Sequence, residues 1–331
     1  MRGLHVNKRV IVIAKHRFLG DTMVTLPLVQ HLAAECRAEK MPLPEIVTGS
    51  GPSILLQNHP DLSKVHVVRK EASVRTRSAS RVLWQEYLRI ARDIRSTSAP
   101  TACYVVDRSF RSAVFARLCG SKWIAGFPTE LRGFLLTHRV PYETSGTEID
   151  AILALSGTSQ SLCQQYPKLT ITPKEHQAFQ LRKLGGVKIA IQPGASHAYK
   201  KVIPAKWVDL IHTINRQGIT FVLVGGPEES SDADQIIDAC PDVNVTNLVG
   251  KTQLRELMVV LASCDLFVGA DTGLSHIAAA VSTKTLTLFG PTPAHQWGRT
   301  QPPHRFLIAP NRMMETILVS QVHSEILEMI R

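Results

Sequence analysis

Residues 265–289 read DLFVGADTGLSHIAAAVSTKTLTLF, and this stretch decides the predicted fold. Its apolar runs at 265–269 and 285–289 predict two buried strands, and the small-residue segment 275–281 between them predicts a helix. A strand, a helix and a second strand in succession are typical of a parallel sheet covered by helices. The polar loop before the helix is then expected at the carboxyl edge of the sheet, where such folds bind ligands.

The same alternation of short apolar runs and amphipathic segments extends over the whole chain of 331 residues, a length typical of about two domains. We predict an α/β protein with two doubly wound, Rossmann-like halves. A polar segment at 156–176 predicts the linker, which gives domains of 1–170 and 171–331. Further strands are predicted at 10–14, 46–48, 65–68, 103–107, 187–192 and 219–224, and helices at 23–36, 80–96, 205–217, 253–263 and 317–331.

Composition narrows the functional classes. No apolar run approaches the roughly 18 residues of a membrane span, and six scattered cysteines without a CxxC motif favour a reducing, cytoplasmic setting. No P-loop, GxGxxG, HExxH or GxSxG motif is present, which disfavours kinases, dehydrogenases, metalloproteases and serine hydrolases. The 38 Lys and Arg residues against 27 Asp and Glu give a formal charge of +11, which favours an anionic partner.

The first polar cluster follows the first predicted strand. Asp21 lies where a helix begins, so it is either an N-cap or a general base that accepts a hydroxyl proton. Lys15 and Arg17 lie beside it and either bind anions or stay solvated. Asp107 and Arg111 follow another strand of the same half and are expected at the same edge.

The second cluster is the loop at 271–276. Gly273 allows a ligand to approach the backbone, and the N-terminus of the following helix offers N–H donors to an anion. Asp271 and Thr272 add polar groups, and His276 can point an imidazole N–H at a phosphate oxygen. The alternative is a capped helix with a core histidine.

Two further segments follow strands of the second half. Lys200 or Lys201 could reach a diphosphate, and Glu228 or Glu229 could hold ribose hydroxyls, although a basic loop and an acidic helix start are the alternatives. The motif Asp232-Ala-Asp resembles a metal-binding pair but is better explained as the start of a helix.

Basic residues concentrate at 64–95, where nine Lys and Arg residues face three acids. This basic segment is a solvated face, a nucleic-acid patch or a contact for anionic lipid. Trp84 and Tyr87 lie within it at a spacing compatible with an amphipathic surface helix.

Several segments together resemble a known family. RVIVIAKHRFLGDTMVTLPLVQHL, IQPGASHAYKKVIPAKW and GADTGLSHIAAAVSTKTLTLFGPT are similar to the ADP-heptose–lipopolysaccharide heptosyltransferases of glycosyltransferase family 9, and the resemblance covers nearly the full chain. RFLGDTMVTLP looks closest to the branch that adds the third, side-chain heptose of the inner core. One departure is Ile203, which stands where the family usually has Trp.

The resemblance implies a GT-B fold whose two domains face an interdomain cleft, with the acceptor bound by the first domain and the nucleotide by the second. It places the general base on Asp21 and acceptor contacts on Lys15, Asp107 and Arg111, with Arg17 as a further anion-binding candidate. Its nucleotide-sugar contacts fall on Lys201 (or Lys200), Glu229 (or Glu228), Asp271, Thr272, Gly273 and His276.

The implied reaction is an inverting heptose transfer from ADP-heptose to a phosphorylated glycolipid, without metal or cofactor. We therefore expect a cytoplasmic enzyme in peripheral contact with the anionic inner face of the inner membrane, with no nucleic-acid partner. The alternatives are a transferase with another nucleotide sugar or glycan acceptor, a nucleotide-sugar epimerase, and a non-catalytic binder of anionic polymers, which should show strong salt dependence.

Overall fold

The computed structural model describes residues 9–15, 18–69, 77–158, 166–178, 186–215, 218–299 and 301–331, without the side chains of residues 77–80. The chain divides into two units, Met1–Thr170 and Ile171–Arg331. Each unit contains a six-stranded sheet in which all neighbouring strands run parallel.

The first unit has the strand order β3-β2-β1-β4-β5-β6, which is that of a dinucleotide-binding sheet with its switch point between β1 and β4. Its strands are β1 (Val10–Ile13), β2 (Glu45–Gly49), β3 (Lys64–Val68), β4 (Ala102–Val105), β5 (Trp123–Gly126) and β6 (His138–Arg139). Its helices are α1 (Leu19–Ala38), α2 (Ser50–Leu55), α3 (Arg77–Thr97), α4 (Phe110–Leu118) and α5 (Glu148–Leu153).

The second unit repeats this topology, because its order is β12-β11-β10-β7-β8-β9 and its switch point lies between β7 and β10. Its strands are β7 (Val187–Ile191), β8 (Ile219–Leu223), β9 (Val245–Asn247), β10 (Leu266–Ala270), β11 (Lys284–Phe289) and β12 (Arg305–Ile308). Its helices are α6 (Pro173–Ala178), α7 (Pro204–Ile214), α8 (Ser230–Ala239), α9 (Leu254–Ala262), α10 (Gly273–Ala280), α11 (Ala294–Trp297) and α12 (Val319–Met329).

The sequence of the central strands explains their position. β1, with the sequence VIVI, and β10, with LFVGA, are buried at every residue. Strands covered by helices on both faces are expected to be apolar throughout, without the alternation of a half-exposed strand. In α3 the residues Tyr87, Ile90 and Ile94 form the buried face, which confirms an amphipathic surface helix.

A helix begins near the C-terminal end of the segment assigned to the linker. Residues Thr172 to Glu175 form a reciprocal cap, in which the Glu175 carboxylate accepts the Thr172 N–H (2.7 Å) and the Thr172 hydroxyl accepts the Glu175 N–H (3.4 Å). This arrangement is the capping box that the sequence TPKE encodes, and it starts α6 inside the segment assigned to the linker. Arg255 of α9 then holds the Glu175 carboxylate with two hydrogen bonds of 2.7 Å.

Two compositional expectations can be compared with the described residues. Within them no helix has both the length and the hydropathy of a membrane span. None of the five described cysteines forms a disulfide, and all five are buried.

A buried ionic cluster joins the amino ends of β1 and β2 to the middle of β3. Arg9 contacts both Glu45 carboxylate oxygens, one of them from Nη2 at 2.8 Å, and His66 Nε2 lies 2.5 Å from Glu45 Oε2. Burial by itself raises the pKa of Glu45, but the hydrogen bonds from His66 and Arg9 outweigh it and lower that pKa to about 2. The cluster lies at the edge of the sheet opposite the loops that follow the strands.

Replacing Glu45 with glutamine should destabilise the protein, because Arg9 would stay buried without a carboxylate partner. We expect a loss of about 3 kcal/mol in the free energy of unfolding at pH 7, measured by urea titration. The pKa of Glu45 is lower in the folded than in the unfolded chain, so the loss is complete above pH 4.5 and disappears as the pH falls towards 2.

The matched control is Glu328→Gln, which removes an exposed carboxylate that pairs with Arg305 (2.6 Å). We expect no measurable change for this surface pair. A deficit in Glu45→Gln that stayed constant between pH 7 and pH 3 would contradict the role given to the ionised Glu45.

Candidate functional site

The first polar cluster lies at the carboxyl end of β1. The Asp21 carboxylate accepts a hydrogen bond from Lys15 Nζ at 2.7 Å, and the same ammonium lies 3.7 Å from Glu148 Oε1. Asp21 is the third residue of α1, whose N-cap is Phe18, so the N-cap interpretation is wrong. Lys15 is therefore a shared partner of two carboxylates and orients Asp21.

Glu148, which the sequence analysis missed, is a central residue of this cluster. It is buried at the first position of α5, where the Tyr142 hydroxyl donates to Oε2 at 2.5 Å and Arg108 Nη2 lies 3.9 Å from Oε1. The Arg108 guanidinium also stacks over the Tyr142 ring at 4.1 Å. The sequence analysis did not select Glu148, because the segment TEID has the pattern of an ordinary capped helix start.

The other acceptor candidates of the first unit follow β4. Asp107 Oδ1 accepts the N–H of Ser109 at 2.8 Å and so shapes the loop before α4, and Arg111 is exposed in the first turn of that helix. Arg17 lies outside the described residues. The structure therefore places Lys15, Asp21 and Asp107 at the ends of the adjacent strands β1 and β4.

A chain of hydrogen bonds crosses the switch point of the second unit. The Thr272 hydroxyl donates to Gln192 Oε1 at 2.6 Å, and Gln192 Nε2 donates to Glu229 Oε1 at 2.8 Å. These three residues follow β10, β7 and β8, which are neighbours in the sheet. Gln192 was not among the predicted site residues, although it stands between two of them.

Glu229 is held in a narrow space. A Cβ atom on Gly194 would lie 2.5 Å from Glu229 Cγ, and one on Gly225 would lie 1.6 Å from Glu229 Oε2, so a side chain at either position would displace the Glu229 carboxylate. The side chain is buried, and Oε2 has no hydrogen-bond partner among the described residues. Burial raises the pKa of Glu229 to about 7, and the negative charges of Glu228 and Asp232 add to the rise.

The N-terminus of α10 lies beside this chain. Thr272 is its N-cap but directs its hydroxyl to Gln192, so its side chain does not cap the helix. Helix N-termini expose N–H groups without intrahelical acceptors and carry a partial positive charge. The first turn of α10, beginning at Gly273, can therefore bind an anion.

His276 lies in the same helix and is buried between two charged groups. Arg299 donates from Nη1 to His276 Nδ1 at 2.9 Å, which assigns the imidazole proton to Nε2, 3.8 Å from Asp271 Oδ1. Burial raises the pKa of Asp271, but the hydrogen bond from His276 and the charges of Lys200 and Arg299 outweigh it and lower that pKa. His276 is thus a core histidine by burial and part of a polar network by its contacts.

The two candidate lysines contact different carboxylates. Lys200 Nζ lies 3.4 Å from Asp271 Oδ2, whereas Lys201 Nζ lies 2.5 Å from the carboxylate of Asp232. Asp232 lies in the first turn of α8, which confirms that the Asp232-Ala-Asp motif opens a helix. Because Asp232 follows Glu229 by one helical turn, its contact with Lys201 holds that lysine near Glu229.

The predicted basic segment is partly neutralised. Lys64 pairs with Asp93 at 2.8 Å and Arg89 with Glu86 at 2.9 Å, while the ring of Tyr87 is buried. Lys70, Arg75 and the side chain of Arg77 lie outside the described residues. The exposed aromatic interleaving expected of a nucleic-acid surface is absent from the described part of this segment.

Comparison with known proteins gives a family match. The model of glycosyltransferase family 9 (heptosyltransferase) matches residues 87–317. Lipopolysaccharide heptosyltransferase 3 of Escherichia coli is 23% identical over 294 residues, which cover 85% of this chain and 83% of that protein.

Solved structures match nearly the whole chain. A glycosyl transferase of family 9 from Veillonella parvula DSM 2008 superposes with a TM-score of 0.86 at 16% identity, covering 98% of this chain and 97% of that one. The E. coli heptosyltransferase WaaC with ADP-2-deoxy-2-fluoro heptose gives a TM-score of 0.76 at 19% identity, covering 97% and 99% of the two chains. These matches confirm the predicted α/β fold of the GT-B class.

Substituting glutamine for Glu229 should stabilise the ligand-free protein at alkaline pH. The raised pKa means that the folded chain binds a proton more tightly than the unfolded chain, so Glu229 costs stability as the pH rises from 4.5 through 7. We expect Glu229→Gln to raise the free energy of unfolding by up to roughly 3 kcal/mol at pH 8, with the gain vanishing near pH 4.5.

Thermal unfolding across this pH range provides the measurement. Glu228→Gln, which removes the exposed neighbouring carboxylate, serves as the control and should show a much smaller gain. An identical offset for Glu229→Gln at every pH would show that the Glu229 carboxyl titrates in its ordinary range.

Proposed function

The chain belongs to glycosyltransferase family 9, the heptosyltransferases, and on this basis we propose that it transfers a heptose from ADP-heptose to the inner core of lipopolysaccharide. The alignment with E. coli lipopolysaccharide heptosyltransferase 3 supports the acceptor class and favours the branch that adds the third heptose. The E. coli WaaC structure, which holds an ADP-heptose analogue in the same fold, supports the donor.

The observation that carries the donor assignment is the carboxylate of Glu229. Its buried Oε2 atom has no hydrogen-bond partner among the described residues, and it lies at the carboxyl edge of the second sheet, where such folds bind nucleotides. Ribose hydroxyls are donors that would satisfy this oxygen. We therefore assign nucleotide binding to the second unit, with Glu229 as the ribose contact.

The diphosphate is assigned to groups around the N-terminus of α10. The Nε2–H of His276 and the backbone N–H groups of the first turn at Gly273 would stabilise the charge that grows on the leaving diphosphate. The hydroxyl of Thr272 and the ammonium of Lys201 would add to them on exchanging their partners Gln192 and Asp232 for the diphosphate. Asp271 acts through its contacts with His276 and Lys200. With these donors we propose that the leaving group departs without a metal ion.

The acceptor is assigned to the first unit. Asp21, oriented by Lys15, removes the proton from an acceptor hydroxyl, which attacks the anomeric carbon while the bond to the diphosphate breaks. A single displacement of this kind inverts the configuration at that carbon. Lys15, Asp107 and Arg111 are assigned to acceptor contacts, and Arg17 stays a prediction from the sequence.

The proposed acceptor also indicates where in the cell the enzyme is expected to act. A phosphorylated glycolipid is embedded in a membrane, and the formal charge of +11 favours an anionic surface. We therefore propose that the protein acts in the cytoplasm, in peripheral contact with the inner face of the inner membrane.

The proposal is tested by supplying ADP-heptose and a heptose-deficient lipopolysaccharide acceptor, and measuring ADP release and product mass. The wild type should form the glycosylated product, whereas Asp21→Asn should lower kcat by about 10²- to 10⁴-fold, because the base is lost. The affinity of the variant for ADP should be unchanged.

Asp93→Asn, which removes an exposed carboxylate of the same unit, is the control and should keep wild-type turnover. Near-normal turnover of Asp21→Asn would refute the base assignment. Donor conversion in the absence of acceptor would instead indicate epimerase or hydrolase chemistry.

Binding titrations with ADP, UDP and GDP test the donor site. Lys201→Met should weaken ADP binding by about tenfold or more, because a charge-assisted contact to the diphosphate is lost. The paired variant Lys200→Met should have a smaller effect, because the family motif assigns the phosphate contact to Lys201. Both ammonium groups are paired in the ligand-free protein, Lys200 with Asp271 (3.4 Å) and Lys201 with Asp232 (2.5 Å). The reverse order would move the assignment to Lys200, and equal affinity for the three nucleotides would contradict an adenine-specific donor site.

A further inference from the structure

Three large apolar side chains lie exposed together at the carboxyl edge of the first sheet. Leu131 is 90% exposed, Phe134 67% and Phe110 39%, and the two phenylalanine rings are 6.2 Å apart. Phe110 begins α4, while Leu131 and Phe134 belong to the turn after β5 that contains the 3₁₀ helix Arg132–Leu135. We call Phe110, Leu131 and Phe134 the apolar tip.

A fully buried arginine holds the apolar tip from beneath. Arg132 donates from Nε to the carbonyl of Phe127 at 2.7 Å and from Nη1 to the carbonyl of Ser109 at 3.0 Å, and it also contacts the carbonyl of Asp107. The Glu130 carboxylate accepts the N–H of Phe110 at 2.9 Å. The turn after β5 is thereby fixed to the loop after β4.

The backbone of the tip is strained. Glu130 and Leu131 have φ values of 49° and 56°, in the left-handed region that is unfavourable for residues with a Cβ atom. Among the described residues, the Leu131 side chain is the most exposed of the large apolar side chains and contributes nothing to the core. Strain that exposes a leucine, held by buried hydrogen bonds, is typical of a functional contact.

Arginines surround the apolar tip. Three exposed arginines lie near it, Arg111, Arg117 and Arg139, and the acid of the segment 108–139 is Glu130, whose carboxylate accepts the Phe110 N–H. Arg117 donates to the carbonyl of Leu135 at 2.7 Å and Arg139 to that of Gly133 at 2.9 Å, and both side chains are exposed beside the 3₁₀ helix. Arg111 is exposed next to Phe110.

We propose that the apolar tip and its arginine rim dock the first unit onto an anionic lipid bilayer. The tip would insert at the boundary of headgroups and acyl chains, while the arginines contact lipid phosphates. The strong excess of positive charge around the tip selects an anionic surface as its partner. Since the tip follows β4 and β5, docking would bring the edge that carries Lys15 and Asp107 to the lipid.

This proposal deepens the proposed function, because it names the surface through which the enzyme reaches a lipid-borne acceptor. It differs from a contact through the basic segment 64–95, where Lys64 and Arg89 are paired with acids and where the described aromatic rings are not exposed as a cluster.

Vesicle sedimentation with the full chain tests the proposal. The wild type should bind vesicles of phosphatidylglycerol and phosphatidylethanolamine more tightly than vesicles of phosphatidylcholine, and added salt should weaken the binding. The double variant Leu131→Ser with Phe134→Ser should lose about tenfold or more in affinity for the anionic vesicles. Because both side chains are exposed, its unfolding temperature should match the wild type.

The matched control is Ile308→Ser with Leu318→Ser, which removes two exposed apolar side chains of the second unit (51% and 48% exposed) and should leave vesicle binding unchanged. The single variant Leu131→Ser repeats the test if the double variant unfolds more easily. The docking proposal is overturned if the wild type does not prefer anionic vesicles. It is also overturned if the tip variants bind these vesicles as tightly as the wild type, the result expected if the tip binds a protein instead.

Turnover on a deacylated, water-soluble acceptor separates this proposal from the proposed function. The double variant should turn over that acceptor at the wild-type rate, because neither substituted residue belongs to the assigned acceptor or donor contacts. If the wild type binds vesicles through the tip but transfers no heptose, the docking proposal stands and the proposed function fails.

Discussion

The buried carboxylate of Glu229 is the constraint on which the second unit depends. A buried carboxylate is stable only if its oxygens find donors. Among the described residues the amide of Gln192 donates to Oε1 of Glu229, whereas Oε2 has no hydrogen-bond partner. Gly194 and Gly225 leave the space that the Glu229 carboxylate occupies, and the hydroxyl of Thr272 orients the side-chain amide of Gln192. The second unit thus keeps a destabilising carboxylate in place, and a bound nucleotide that donates to Oε2 would complete its hydrogen bonds.

Both units use the same solution for placing polar groups. Each has its first and fourth strands side by side, so residues that follow these strands meet although they are far apart in the sequence. In the first unit this brings Lys15 and Asp21 to the strand end next to Asp107, and in the second it brings Gln192 to Thr272. Other interactions stabilise the fold, such as the buried pair of Arg9 and Glu45 at the opposite edge of the first sheet.

The sequence predicts those features that depend on local pattern. The alternation of apolar runs and polar residues predicts the buried strands and the loops after them, and Asp21, Glu229 and His276 are predicted as site residues because they follow such runs. The strand β6, with only two residues, has no pattern to detect. Gln192, Glu148 and Arg299 were missed because their importance comes from partners such as Thr272, 80 positions away, that only the fold brings near.

Arg132 links two parts of the first unit that would otherwise be separate loops. One guanidinium holds the carbonyls of Phe127, Asp107 and Ser109, so the turn that carries Leu131 cannot shift without displacing the backbone next to the acceptor contacts. Contact with a surface outside the protein would therefore be transmitted mechanically to the residues that hold the substrate. In this arrangement the backbone of the turn and that of the loop after β4 form one rigid piece, to which the exposed side chains of the tip are attached.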